Sequence, residues 1–120
     1  MDAPLQLLPG FLMPDDQPGD WYGWTTVAYS HSMLGLTALA PLRWTLGRDV
    51  AWSICLACYI VLELLQLAVG GSLLDGLTDA LFVVSGMMLA NEALRQSRGG
   101  FLVTVGFITA AVIVGIAVRL

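Results

Sequence analysis

The fold is decided by residues 50–94, which read VAWSICLACYIVLELLQLAVGGSLLDGLTDALFVVSGMMLANEAL. Two apolar runs, about Val50–Val69 and Leu73–Leu94, flank a turn that contains Gly70 and Gly71. Each run reaches the ~20 residues that a helix needs to cross the hydrocarbon core of a bilayer. Because a short connection forces consecutive helices to lie antiparallel, this stretch predicts a hairpin of two membrane-spanning helices.

Two further apolar runs, about Trp21–Leu42 and Phe101–Val118, meet the same length requirement. The connections Arg43–Asp49 and Arg95–Gly100 are short, so neighbouring helices are again expected to be antiparallel. Pro41 is expected to kink or end the first helix, because proline donates no backbone hydrogen bond. The predicted fold class is therefore all-α, an integral membrane four-helix bundle with short loops.

The composition agrees with a membrane protein. Of the 120 residues, 58% are hydrophobic and only 12% are charged, whereas soluble domains carry roughly a quarter charged residues. In water such a chain would expose large apolar patches and aggregate. The five basic residues are scattered arginines, so the basic stripe of a nucleic-acid-binding protein is missing and we expect no nucleic acid partner.

The first twenty residues differ from the rest of the chain. Four prolines, at positions 4, 9, 14 and 18, forbid a regular helix through this segment. The segment also lacks the positively charged start of a secretory signal. We expect a proline-rich, non-helical tail over residues 1–20 and a four-span transmembrane bundle over residues 21–120.

The arginines predict the orientation of the bundle. Arg43 and Arg48 lie between the first and second helices, and Arg95 and Arg98 lie between the third and fourth. Both pairs therefore fall on one side of a four-span bundle, and cytoplasmic loops are the ones that carry excess arginine and lysine. We expect both termini outside, and a location in the bacterial cytoplasmic (inner) membrane.

The candidates for function are the polar and ionisable residues inside the apolar runs, namely His31, Tyr59, Glu63, Gln66, Asp75 and Asp79. A charged group at mid-bilayer costs at least ~2.5–3.5 kcal/mol, so each should face the bundle interior. Tyr59, Glu63 and Gln66 are spaced i, i+4 and i+7, which places them on one face of the second helix. Glu63 lies six residues before the predicted end of the second helix and Asp79 six after the start of the third, so both lie roughly 9 Å below the outer surface. The pattern predicts one intramembrane polar pocket that opens toward the outside.

No residue is predicted to be catalytic. Ser30 and Ser32 flank His31, but adjacent residues of a helix point to different faces and cannot form a nucleophile–base pair. Cys55 and Cys58 are expected to be small packing residues, because the chain offers one histidine and no further thiol to complete a zinc site. We therefore expect no metal, no cofactor and no enzymatic activity.

The fourth helix carries small residues at a spacing that lets membrane helices approach closely. Gly106 precedes Ala110 by four positions, and Ala111 precedes Gly115 by four. Small residues at this spacing are typical of helix–helix contacts in membranes. The sequence leaves open whether they pack inside the bundle or dock another protein.

Residues 63–86, ELLQLAVGGSLLDGLTDALFVVSG, resemble the signature of VanZ-like membrane proteins. The resemblance is carried by a Glu-x-x-Gln pair, a glycine turn and a helix with two Asp and one Gly, which here are Glu63, Gln66, Gly70, Gly71, Asp75, Asp79 and Gly86. The upstream segment YSHSMLG, with His31 and Gly35, is similar to the first helix of a related group of small polytopic proteins. The chain departs from the family pattern at Ser72 and Val83, where arginine and asparagine are usual.

Two functions fit these features. The first is an accessory or stabilising subunit of a larger membrane assembly, with other membrane protein subunits on residues 1–24 and 101–118 and with lipid around the rest. The alternative is an autonomous VanZ-like envelope protein that binds a lipid-linked or amphiphilic molecule, or a pocket that handles protons or cations. The same polar residues would also suffice for an internal hydrogen-bond network that fixes helix register. A membrane-embedded cavity of ~300 Å³ or more would favour binding of an amphiphile.

Overall fold

A computed structural model describes residues 21–120, which form four α-helices. They are α1 (Trp21–Leu46), α2 (Arg48–Ala68), α3 (Leu73–Leu94) and α4 (Arg98–Arg119). The predicted all-α bundle with short connections is confirmed for this part of the chain, which contains no strand. The tail expected over residues 1–20 lies outside the described residues.

Helix α1 does not end near Pro41 but continues to Leu46. The Pro41 carbonyl accepts a hydrogen bond from the Thr45 hydroxyl at 3.0 Å, and this bond stabilises the helical turn that follows the proline. The loop predicted over Arg43–Asp49 therefore shrinks to Gly47, whose φ of 84° and ψ of 170° reverse the chain in one residue. That conformation is essentially confined to glycine.

Helix α4 begins at Arg98, three residues before the predicted start at Phe101. The extra residues are helical because the Ser97 side chain accepts a hydrogen bond from the Gly100 backbone N–H at 3.2 Å. Such a serine cap satisfies one of the unpaired N–H groups at a helix start. The predicted bounds of α3 coincide with the observed ones, and α3 has the same kind of cap at Ser72.

Three helices, α2, α3 and α4, are long and apolar enough to cross a membrane. Helix α1, with 26 residues, is long enough to cross a membrane, but its serines, threonines and histidine make it less hydrophobic than the other three helices. Its hydroxyls bond to their own backbone, for example Ser30 to the Thr26 carbonyl at 2.7 Å and Thr37 to the Met33 carbonyl at 2.7 Å. This back-bonding satisfies the hydroxyl without water. The crossing of α1, and with it a fourth span, stays a prediction.

The closest helix pair is α1 with α3, and two glycines make it possible. A Cβ on Gly35 would overlap the Val83 carbonyl oxygen, and a Cβ on Gly86 would overlap the Ser32 carbonyl oxygen. The two backbones therefore touch directly where the helices cross. Close approach through small residues is a principal source of packing energy between membrane helices.

Two buried apolar clusters flank this crossing. The first joins α1, α2 and α3 through Leu39, Ala51, Cys55, Tyr59, Val83, Met87 and Ala90. The second joins α1, α3 and α4 through Ala28, Phe82, Ile108 and Val112. Helix α3 contributes to both clusters and is the central helix of the bundle. The end of the bundle that carries Arg43, Arg48, Arg95 and Arg98 is called the arginine end below, and the end at the Gly70–Gly71 turn is called the turn end.

Candidate functional site

A cavity of about 930 Å³ lies in the turn-end half of the bundle. It is lined by the start of α1, the end of α2, the start of α3 and the end of α4. Apolar residues such as Leu34, Leu62 and Phe107 form most of its wall. Five of the six predicted polar residues line it, which are His31, Glu63, Gln66, Asp75 and Asp79.

His31 and Asp79 face each other across the α1–α3 contact. The imidazole Nε2 lies 3.5 Å from a carboxylate oxygen of Asp79, and both side chains are about three-quarters buried, with 21% and 24% exposed. The other ring nitrogen, Nδ1, lies 2.8 Å from the Val27 carbonyl oxygen. The backbone one turn earlier in α1 therefore sets the direction in which the ring points.

Glu63 is positioned by residues on two helices. The Tyr59 hydroxyl, one turn earlier in α2, donates a hydrogen bond to the Glu63 carboxylate. Tyr59 is buried in the apolar cluster between α1, α2 and α3, so its hydroxyl has a fixed position. On the opposite side a Cβ on Gly76 of α3 would contact the same carboxylate, at 2.6 Å from one oxygen. Glycine at position 76 thus leaves room for the Glu63 carboxylate between α2 and α3.

Gln66 and Asp75 line the cavity closer to the turn. Asp75 lies in the first turn of α3, where its backbone N–H donates to the Ser72 side chain at 3.1 Å. A carboxylate at a helix start also interacts favourably with the helix dipole. Tyr59 does not line the cavity and reaches it through Glu63. Within residues 21–120, no three His, Cys, Asp or Glu side chains are close enough to hold a metal ion.

The sequence-based pocket used α1 to α3 only, and the structure adds α4. Arg119 lines the cavity, and its guanidinium lies 4.3 Å from the ring centre of Trp24 on α1. Gly115, one turn earlier, lies beneath the same indole, because a Cβ there would overlap the Trp24 ring. Cation–π contacts of this kind contribute roughly 0.5–2 kcal/mol. A glycine and an arginine four residues apart at the end of α4 were the only sequence signal for this contact.

The charges of the cavity are unequal. Among the described residues, three carboxylates, on Glu63, Asp75 and Asp79, line it together with one guanidinium and one imidazole. The carboxylates come from α2 and α3, and the guanidinium is carried by the last helical residue of α4. The cavity is thus acidic on one side and apolar over most of its surface.

A second polar cluster at the arginine end was missed by sequence reasoning. The Arg43 guanidinium donates to the side-chain oxygen of Asn91 at 2.5 Å and to its backbone carbonyl at 2.7 Å. The Asn91 amide donates to Glu92 at 3.0 Å, and Arg95 lies 3.4 Å from the same carboxylate. Asn91 is buried, whereas Arg95 is largely exposed. The available signal was an Asn-Glu pair that follows the largely apolar run 80–90 of α3.

The small residues of α4 divide into two groups. Ala111 packs against the cluster around Phe82, and Gly115 lies beneath Trp24, so both are used inside the bundle. Gly106 and Ala110 are exposed, and a Cβ on Gly106 would meet nothing within 4 Å. Of the two cysteines, Cys55 is buried in the core and Cys58 is exposed on α2.

Comparisons with protein-family models, with curated proteins and with solved structures find no match to this chain. The resemblance to VanZ-like proteins therefore stays a prediction that rests on the quoted residues alone.

Proposed function

We propose that this chain is a membrane protein that binds an amphiphilic molecule with an ammonium-bearing head group in the turn-end cavity. The observation that supports this most directly is the combination of an apolar cavity of about 930 Å³ with three carboxylates on one side. The proposal corresponds to the alternative predicted from the sequence, an autonomous protein that binds an amphiphilic molecule, and not to the accessory subunit that was predicted first.

The size and lining of the cavity favour an amphiphile over a small ion. Ligand sites span ~300–1,000 Å³ and are mostly apolar, with a few polar groups that fix orientation. A bare cation needs converging oxygen ligands and has no use for walls such as Leu34, Leu62 and Phe107. An alkyl chain fits those walls, while its head group lies against the polar side.

The charges favour an ammonium head group. Among the described lining residues, the carboxylates of Glu63, Asp75 and Asp79 outnumber the guanidinium of Arg119, so the polar side of the cavity attracts a cation. An ammonium group supplies both the positive charge and N–H donors. A head group that also carries a phosphate would find Arg119 at the same cavity.

Binding is favoured over catalysis by the hydrogen bonds of the candidate nucleophiles. The Ser30 hydroxyl donates to the Thr26 carbonyl at 2.7 Å, and the Nε2 atom of His31 faces Asp79. A hydrolytic site would need the histidine to accept a proton from a hydroxyl or thiol. We therefore assign the cavity a binding role without a chemical step.

The test uses the position of Trp24 in the cavity wall. A bromine-bearing alkylamine added to the protein in lipid nanodiscs should quench Trp24 fluorescence saturably, because heavy atoms quench only at contact. Alkyl alcohols and fatty acids with the same bromine position serve as neutral and anionic controls. The proposal predicts that the amine binds at least tenfold more tightly than either. Equal quenching by all three would refute the ammonium preference.

Two substitutions locate the binding. Trp44 is exposed at the far end of α1, so Trp44→Phe should retain the saturable quenching that Trp24→Phe removes. Glu63→Gln should weaken amine binding, whereas Asp49→Asn, which removes an exposed carboxylate at the arginine end, should not. Equal loss in both carboxylate variants would mean that the amine binds the surface charge only.

We further propose that the arginine end lies in the cytoplasm and the cavity opens to the outside of a bacterial inner membrane. The support is the four arginines at one end of the bundle. The test starts from a background in which Cys55 and Cys58 are alanine. In that background, a membrane-impermeant thiol reagent should label Leu120→Cys in intact cells and Gln96→Cys only after lysis. The reverse labelling pattern would overturn this orientation.

A second candidate, the accessory subunit, has one observation in its favour. Gly106 and Ala110 remain exposed on α4 beside large apolar side chains such as Leu102 and Val103. Small residues on an outward face let a helix of another subunit approach closely. Ala110 also lines the turn-end cavity, so a docked helix and the bound ligand would share part of one face of α4.

A further inference from the structure

We infer that His31 and Asp79 together hold one proton in the cavity, and that an ammonium head group displaces this proton when it binds. The first half of the inference depends only on the geometry of the pair. The second half rests on the proposed function and deepens it, because it makes amphiphile binding a cation-for-proton exchange.

The contacts of the His31 imidazole determine which of its ring nitrogens carries a hydrogen atom. Nδ1 lies 2.8 Å from the Val27 carbonyl oxygen, and a carbonyl oxygen can only accept. Nδ1 therefore carries a hydrogen atom. A neutral imidazole has only one N–H, so Nε2 of a neutral His31 would present a lone pair.

That lone pair would face a carboxylate. Nε2 lies 3.5 Å from Oδ2 of Asp79, and two unprotonated acceptors repel each other at this separation. The contact becomes attractive when one further proton is present, either on Nε2 or on Asp79. We place this proton on Nε2, so that an imidazolium faces an ionised Asp79 across the 3.5 Å contact.

The other charged groups of the cavity are consistent with this assignment. Helix α2 contributes Glu63, whose carboxylate accepts a hydrogen bond from Tyr59, and α3 contributes Asp75 one turn before Asp79. Helix α4 contributes Arg119, whose guanidinium lies against Trp24. His31 is the only ionisable residue of α1 along the cavity wall. Among the described residues that line the cavity it is the only imidazole, and an imidazole can carry a proton on each of its two ring nitrogens.

The exchange balances in charge. Before binding, the imidazolium and Arg119 offset two of the three carboxylates. When one ammonium group enters, Nε2 releases one proton to solvent and the net charge of the cavity is unchanged. Asp79, freed from the imidazolium, then pairs with the ammonium group. Because each bound ligand expels one proton, the apparent affinity should rise up to tenfold for each unit increase in pH while the pair is protonated.

The first experiment observes the proton directly. His31 is the only histidine in the chain, so ¹⁵N-histidine labelling gives one imidazole whose two nitrogen shifts report its protonation. In nanodiscs at pH 7, the wild-type protein should show two protonated ring nitrogens. Asp79→Asn should show one protonated nitrogen, at Nδ1, and Asp49→Asn should match the wild type. A bare Nε2 in the wild type would overturn the proton site.

The second experiment measures the exchange. The probe is an alkyltrimethylammonium ion, whose charge does not change with pH. Calorimetric titration in buffers of different ionisation enthalpy should show release of about one proton per bound ligand, and Asp79→Asn should abolish the release. Binding without proton release refutes the exchange and leaves the proposed function intact. If neither this probe nor alkylamines bind while NMR shows an imidazolium, the proposed function is refuted and the proton site remains.

Discussion

The substitution Gly86→Ala tests the close contact between α1 and α3. The added Cβ would overlap the Ser32 carbonyl oxygen, which belongs to the backbone and cannot rotate away. The two helices must therefore separate, and the buried side chains of Leu39 and Met87 beside the crossing lose contacts. Overpacking of this kind costs about 1–3 kcal/mol, and a main-chain obstacle places the cost near the upper limit.

The helix propensity of alanine offsets part of this cost. Alanine is about 1 kcal/mol more favourable than glycine within a helix, so the net expected loss is about 2 kcal/mol. A change of that size is roughly a 30-fold shift in the unfolding equilibrium. The measurement is unfolding in mixed micelles with increasing SDS, followed by far-UV circular dichroism.

The matched control is Gly106→Ala in α4. A Cβ on Gly106 meets nothing within 4 Å, so this variant gains the propensity of alanine without a clash. Its stability should equal or exceed that of the wild type. If Gly86→Ala and Gly106→Ala unfold at the same SDS fraction, the α1–α3 backbones do not touch and the described crossing is wrong.

The same unfolding assay checks two further sites. Asn91→Leu removes the side-chain acceptor of the Arg43 guanidinium and should lower the free energy of unfolding by about 1.5–3 kcal/mol. Arg95→Ala should change it by less than about 1 kcal/mol, because the ion pair of Arg95 is exposed. Equal effects of the two variants would contradict the hydrogen bonds between Arg43 and Asn91. Gly47→Ala places a side chain at φ 84° and ψ 170° and should cost about 1–3 kcal/mol; unchanged stability would mean that α1 and α2 are joined differently. Deletion of residues 2–18 should weaken association with other subunits on native gels and leave the bundle inserted; undiminished association would count against the accessory-subunit function.

Sequence alone determined the four helices and five of the polar residues that line the turn-end cavity. A single chain segment in lipid can satisfy all its backbone N–H and C=O groups only by forming a helix, and each apolar run is long enough to do so. The spacing of Glu63 and Asp79 about the glycine turn then fixes their depth, because the rise per residue of a helix is constant. These are local properties of the chain, so they can be read without a tertiary structure.

The helix ends were less predictable because they depend on particular hydrogen bonds. Hydropathy predicted a loop over Arg43–Asp49. In the structure Arg43 belongs to α1, whereas Arg48 and Asp49 belong to α2, so only Gly47 lies between the two helices. The positive φ of Gly47 allows the chain to reverse without a longer loop. Hydropathy measures the preference of side chains for lipid and carries no information about backbone reversal.

Only the tertiary structure decided which distant residues meet. Arg119 reaches the cavity because Gly115 lets α4 approach Trp24, and Arg43 meets Asn91 because α1 and α3 cross at Gly35 and Gly86. Helical periodicity gives the face on which a residue lies but not the neighbour that covers that face. That neighbour is set by the close packing of small residues between helices, and so the two arginines gained their partners only in the folded bundle.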